Sequence, residues 1–100
     1  MINKNIIIQE LKNIKPLYEK EGIILVGLFG SYAQDKQHQF SDIDIAYKMD
    51  YKKFSQKYKD GFSKLLRIDA IKNELTDRFK TRVDLVPDEN KKLFDRLLYV

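Results

Sequence analysis

The sequence predicts an α/β chain of the α+β kind, a small mixed sheet of three or more strands flanked by helices. Three observations lead there. An unbroken apolar run, Ile23 to Phe29, is the length of a buried strand and ends at Gly30-Ser31. Two segments alternate with period two, Asp42 to Tyr47 and Arg82 to Pro87, as half-buried strands do. Long stretches before and between these strands carry apolar residues at helical spacing instead.

Taken in order, Asn5 to about Lys20 places Ile7, Ile8, Leu11, Ile14, Leu17 and Tyr18 on one helical face, with Gly22 as the stop. Pro16 should kink this helix or start a second segment, because proline removes one backbone donor and crowds the preceding turn. Gly27 inside the first strand reads as a packing glycine. Asp35 to Phe40 is a polar loop that includes His38. Lys48 to Asp60 is polar apart from Tyr51, Phe54 and Tyr58 and suits a short helix. From Phe62 the positions Leu65, Leu66, Ile68, Ile71, Leu75 and Phe79 form a helical stripe ending near Lys80. In the third strand Val83 and Leu85 face the core, and Asp84 points away with Val86. Leu93, Phe94, Leu97 and Leu98 suggest a final helix packing on the domain or, with Tyr99, on a partner.

One hundred residues, 43% hydrophobic and 34% charged, suit a single domain over residues 1–100 with one core and an open cleft. There is no cysteine for disulfides or thiolate metal sites, and one histidine cannot make a zinc cluster, so any metal would be a hard cation on carboxylates. Ile6-Ile7-Ile8 is too short for a signal peptide or membrane span, which points to a cytoplasmic protein without membrane contact. A formal charge of +4 suits anionic partners. Between Lys52 and Arg82, however, the basic residues interleave with Asp60, Asp69, Glu74 and Asp77, the pattern of a solvated face rather than a nucleic-acid stripe.

The chemistry concentrates between Leu28 and Ile45. At Gly30-Ser31 the chain leaves a strand through a tight turn into a helical segment, whose first amides lack helical partners and favour anions such as phosphate. Ser31-Tyr32-Ala33-Gln34 also fits a Ser-x-x-Gln capping box, a structural role compatible with the first. Ten residues after Ser31 comes Asp42-Ile43-Asp44, with both carboxylates on one strand face. Such a pair is often only a solvated face. Roughly 6 to 7 Å apart, the two repel by about 2 to 3 kcal/mol at an effective dielectric of about 20, which a bound cation would relieve. Magnesium favours a few carboxylates plus substrate phosphate oxygens, so the turn and the pair together suggest phosphoryl or nucleotidyl transfer. Asp84 can join them from the third strand, and Ser41 can hydrogen-bond them or simply make a turn.

With Gly30-Ser31, ten intervening residues, Asp42-x-Asp44 and a later strand bearing Asp84, the chain resembles the minimal nucleotidyltransferases of the polymerase beta superfamily over nearly its whole length. Many members have a basic residue and then glycine after the motif alanine, where this chain has Gln34-Asp35. The resemblance implies that Gly30 and Ser31 hold the β and γ phosphates of a nucleoside triphosphate. It implies equally that Asp42, Asp44 and Asp84 are the catalytic, metal-binding carboxylates for two Mg2+ ions, Asp84 also helping to deprotonate the acceptor hydroxyl. Among such proteins the chain resembles above all the antitoxins paired with HEPN-type RNase toxins, which transfer AMP from ATP to a tyrosine of the toxin. The expected partners are therefore ATP and a HEPN-type toxin, with the acceptor arriving on that second protein. Transfer to a small hydroxylated molecule is the alternative within the class. A non-catalytic nucleotide-binding or toxin-masking module is the alternative outside it.

Overall fold

The computed structural model describes residues 2–89 and 96–100. Its elements run α1 (Lys4–Glu19), β1 (Ile23–Phe29), α2 (Gly30–Ala33), β2 (Ile43–Met49), α3 (Tyr51–Lys57), α4 (Gly61–Phe79), β3 (Val83–Pro87) and β4 (Leu98–Tyr99). The strands form one mixed sheet in the order β3-β2-β1-β4, with β1 antiparallel to β2 and β4, and β2 parallel to β3. This is the small mixed sheet with helical flanks that the sequence predicts.

Each long helix forms for local reasons. The Asn3 side chain accepts from the Ile6 amide and starts α1; Ile7, Leu11, Ile14 and Tyr18 then turn one face to the sheet and are buried. The Asp60 carboxylate caps α4 by accepting from the Ser63 amide, and Ile71, Leu75 and Phe79 bury its C-terminal half. Tyr18 donates to Glu74, and Arg78 pairs with Glu10, so α1 and α4 lie side by side and antiparallel. Burial, reinforced by that bond to Glu74, pushes the Tyr18 hydroxyl up to about 12. Ile43, Ile45 and Val83 complete the core, each of these large side chains contributing roughly 1.5 to 3 kcal/mol by leaving water.

Several expectations need correction. Helix α1 runs through Pro16 as one element, without a second segment. Leu65 and Leu66 lie on the outer side of α4, 69% and 55% exposed, because the helix touches the core only from its middle onward. Ser41 serves the turn rather than the carboxylates, its hydroxyl accepting from the His38 amide. No final helix includes Leu98: Leu98 and Tyr99 pair with Leu28 and Gly27 as β4, while Leu93 and Phe94 lie outside the described residues. Gly27 explains how that short strand docks, since a Cβ there would meet the Leu98 carbonyl oxygen at 2.5 Å. Tyr99 is left 73% exposed and Leu98 partly covered, so of the expected apolar surface Leu98 mainly serves the sheet.

Candidate active site

The site lies where β1 ends and β2 and β3 begin. Phe29 is the register partner of Asp44, and Asp44 in turn is the partner of Asp84 across the parallel pair. The Ile43 amide donates to the Arg82 carbonyl at 2.8 Å, tying the starts of β2 and β3 together. Two carboxylates from distant parts of the chain thus stand on adjacent strands at the same level. They occupy the sheet face opposite Ile43, Ile45 and Val83, since successive side chains alternate. Strand β2 begins at Ile43, so Asp42 is the residue immediately before the strand.

The turn after β1 is built against Asp44. Gly30 has φ +76°, and a Cβ on it would fall 2.2 Å from Asp44 Oδ2. Glycine is therefore required twice, by the left-handed backbone and by the carboxylate resting on its Cα. Ser31 follows as the second residue of α2, and the N-cap is Phe29, so the Ser-x-x-Gln capping box does not form. Asp35 takes a left-handed φ of 55° and pairs with Lys4 at 2.7 Å. Aspartate tolerates that conformation better than most residues, and the turn closes without glycine.

Electrostatically the centre is uneven. Burial pushes the Asp44 carboxyl up, and the charges of Asp84 and Asp42 add to the push. Asp84 has Lys72 Nζ at 3.5 Å, and Asp42 has Arg82 Nε at 4.0 Å. Among the described residues no three carboxylates or imidazoles stand close enough together to hold a metal ion as they are, so Asp42, Asp44 and Asp84 do not yet converge on one point. The donor set nonetheless fits a hard divalent cation, which takes a few carboxylates together with substrate oxygens and would relieve the repulsion on Asp44. Cavities of about 260 and 470 Å³ lie elsewhere, the first lined by Tyr47, Tyr51 and Pro87, the second by Tyr32, Gln37 and His38. An open carboxylate cluster beside a glycine turn is the more telling feature, because it combines anion-binding and cation-binding groups at one sheet end.

Asp44 and Asp84 are brought together as the sequence leads one to expect, Asp42 lies close enough for its charge to act on Asp44, and Gly30 touches Asp44. Lys72 and Arg82 were not legible as site residues. Arg82 stands two positions before Asp84, a weak signal, and Lys72 is marked by nothing local, since its place depends on how α4 packs on β3.

Comparison with known proteins bears on this geometry. Two proteins of Methanocaldococcus jannaschii, each named "Putative protein adenylyltransferase", are 31% identical over 96 residues, spanning 89% of this chain and 88% of theirs. A chain from a crystal structure of a toxin-antitoxin with AMP-PNP superposes with a TM-score of 0.51 at 30% identity. The match covers 89% of this chain and 60% of that one. No helix among the described residues is long and apolar enough to cross a membrane. Residues 12–97, which run from α1 through the glycine turn and all three aspartates to β4, match the family described as Polymerase beta, Nucleotidyltransferase; the chain belongs to that family and is a nucleotidyltransferase.

Proposed function

We propose that this nucleotidyltransferase transfers AMP from ATP, with Mg2+, to a hydroxyl group of a partner protein, acting as the antitoxin of a HEPN-type RNase toxin. The observation that carries the proposal is the pairing of Asp44 with Asp84 beside Gly30, whose left-handed backbone and close approach to Asp44 leave little room for a side chain. The names of the two archaeal relatives and the toxin-antitoxin neighbour crystallised with AMP-PNP support the direction of the reading.

In this scheme Gly30 and Ser31 receive the β and γ phosphates at the α2 turn. Asp42, Asp44 and Asp84 would hold divalent cations, two in the full scheme, whose chemistry is to neutralise charge on the attacking and leaving oxygens. The acceptor oxygen bonds to the α phosphorus as the bond to the bridging oxygen breaks, and pyrophosphate leaves. Asp84 lies on the edge strand with its side chain 45% exposed, and it takes the proton from the acceptor hydroxyl.

The test is intact-mass spectrometry of the chain mixed with a cognate HEPN-type partner protein, with ATP and Mg2+. A gain of AMP on the partner is expected, absent without Mg2+ and absent with Asp44→Asn. A partner that is bound and neutralised with no mass change would replace the proposal by a non-catalytic masking module. Transfer to a small hydroxylated compound but never to protein would move the acceptor to that class.

A further inference from the structure

Two of the three site carboxylates already face a cation of this chain, and the two contacts differ in kind. Arg82 approaches Asp42 at 4.0 Å with 70% of its side chain exposed, the profile of a loose surface pair. Lys72 approaches Asp84 at 3.5 Å with only 31% exposed. It follows the fully buried Ile71 on α4, one turn before the fully buried Leu75, so its stem leaves a part of the helix that is fixed against the core. Its ammonium thus reaches the edge strand at the carboxylate that shares its register with Asp44, while Asp44 has no ion pair among the described residues.

We propose that Lys72 is a positioning residue that occupies Asp84 in place of a divalent cation and yields it when that cation binds, so that the centre is loaded by exchange of one cation for another. The proposal rests on the reading of the three aspartates as metal ligands. Without a cation, the Lys72 ammonium offsets part of the repulsion between Asp84 and Asp44. With one, Lys72 competes for the same oxygen, so the ammonium weakens metal binding while it limits repulsion.

The sign of the effect separates this role from a merely structural one. Mn2+ binding to the nucleotide-free chain is measured by electron paramagnetic resonance, with no turnover involved. Lys72→Met keeps the apolar stem and deletes the competitor, so Mn2+ should bind about three- to tenfold more tightly, and Lys72→Arg should bring the affinity back toward that of the parent. Lys72→Gln repeats the deletion with a polar side chain in case methionine disturbs the helix surface. Arg82→Met should change the affinity by less than about twofold. Lys48→Met, an exposed change at the other end of β2, controls for net charge and should leave the affinity as it is. Unchanged or weaker binding in both Lys72 deletions overturns the proposal, as does equal tightening in Lys48→Met. If the parent chain shows no saturable Mn2+ binding, or if Asp44→Asn leaves that binding intact, the metal reading fails and takes the exchange with it. Saturable binding that Asp44→Asn removes but Lys72→Met does not alter refutes the exchange alone.

Discussion

At the start of β1, Glu21 receives two hydrogen bonds from Arg67, at 2.9 and 2.7 Å, and another from the Tyr58 hydroxyl. Arg67 reaches Glu74 as well, at 2.7 Å. The Arg67 bonds, ahead of the contributions from Tyr58 and Lys57, hold the Glu21 carboxyl below the usual range, and the Arg67 guanidinium is held correspondingly more firmly protonated. At the other end of the same strand, Asp44 is half-buried and meets Asp84 and Asp42 instead of a cation; burial first, and then those two charges, push its carboxyl up. Partly buried acids thus stand at both ends of β1, satisfied at one and frustrated at the other. The difference teaches where the molecule stores cost for function. A geometry meant only for stability would pair Asp44 as Glu21 is paired, whereas a centre that binds a charged ligand keeps its repulsion until the ligand arrives.

Asp44→Asn should break the comparison most visibly. Transfer should fall by roughly 10²- to 10³-fold or more, because the substitution removes a charge where charge develops in the reaction. The fold should become more stable at neutral pH, with a Tm rise of about 2 to 4 °C, what roughly 0.5 kcal/mol does to a domain of this size. Mass-resolved transfer assays and thermal melts on one preparation read both effects. A variant that loses activity together with stability would show that Asp44 is structural.

Gly30→Ala comes next. Its Cβ would have to displace Asp44 Oδ2 from 2.2 Å, and its backbone would hold a left-handed φ of +76°. A loss of transfer of about 10²-fold should accompany a destabilisation of roughly 1 to 2 kcal/mol. Normal transfer in this variant would mean that the contact between turn and carboxylate has no part in the chemistry.

At the opposite end Arg67→Met should do the reverse of Asp44→Asn. It leaves Glu21 and Glu74 without their shared donor and should cost about 1 to 3 kcal/mol by denaturant titration, with transfer per folded molecule unchanged. A drop in specific activity would show that the two ends are coupled.

The smallest effect, and the sharpest for the comparison, is in pH. Glu21 is depressed on folding, so its contribution is present above its unfolded pKa and is lost as pH falls through the folded one. Asp44 is raised on folding, so its protonated form favours the native state at low pH and that support is lost as pH rises from the unfolded toward the folded pKa. The Tm deficit of Arg67→Met and the Tm gain of Asp44→Asn should therefore both be largest near neutrality and both shrink in acid. Differences that persist unchanged at low pH would remove the electrostatic account of either end.

Much of this was legible from residues alone. The bounds of β1, the helical faces of α1 (save Leu17, which is 55% exposed) and of the second half of α4, the glycine turn and the Asp-x-Asp spacing follow from rules that act over a few neighbours, alternation and period 3.6 above all. The same rules misplaced Leu65 and Leu66, since a helical stripe records which side is apolar and not how far the core extends along it. They assigned the C-terminal Leu98 to a helix because a two-residue strand is too short to show a period, and its state is set by the bonds that β1 offers it.

What could not be read along the chain was everything that depends on contact between its distant parts. That Asp84 stands at the level of Asp44, that Lys72 reaches it from α4, and that Gly30 bears on the same carboxylate are facts of register and packing, fixed by a parallel pairing between strands that begin forty residues apart. Spacing in sequence determined which groups this protein has for its chemistry. Their mutual charge, and the choice of which acid is held by a cation and which is left against its like, came only from the sheet that brings them together, because Coulomb energy depends on distance in space.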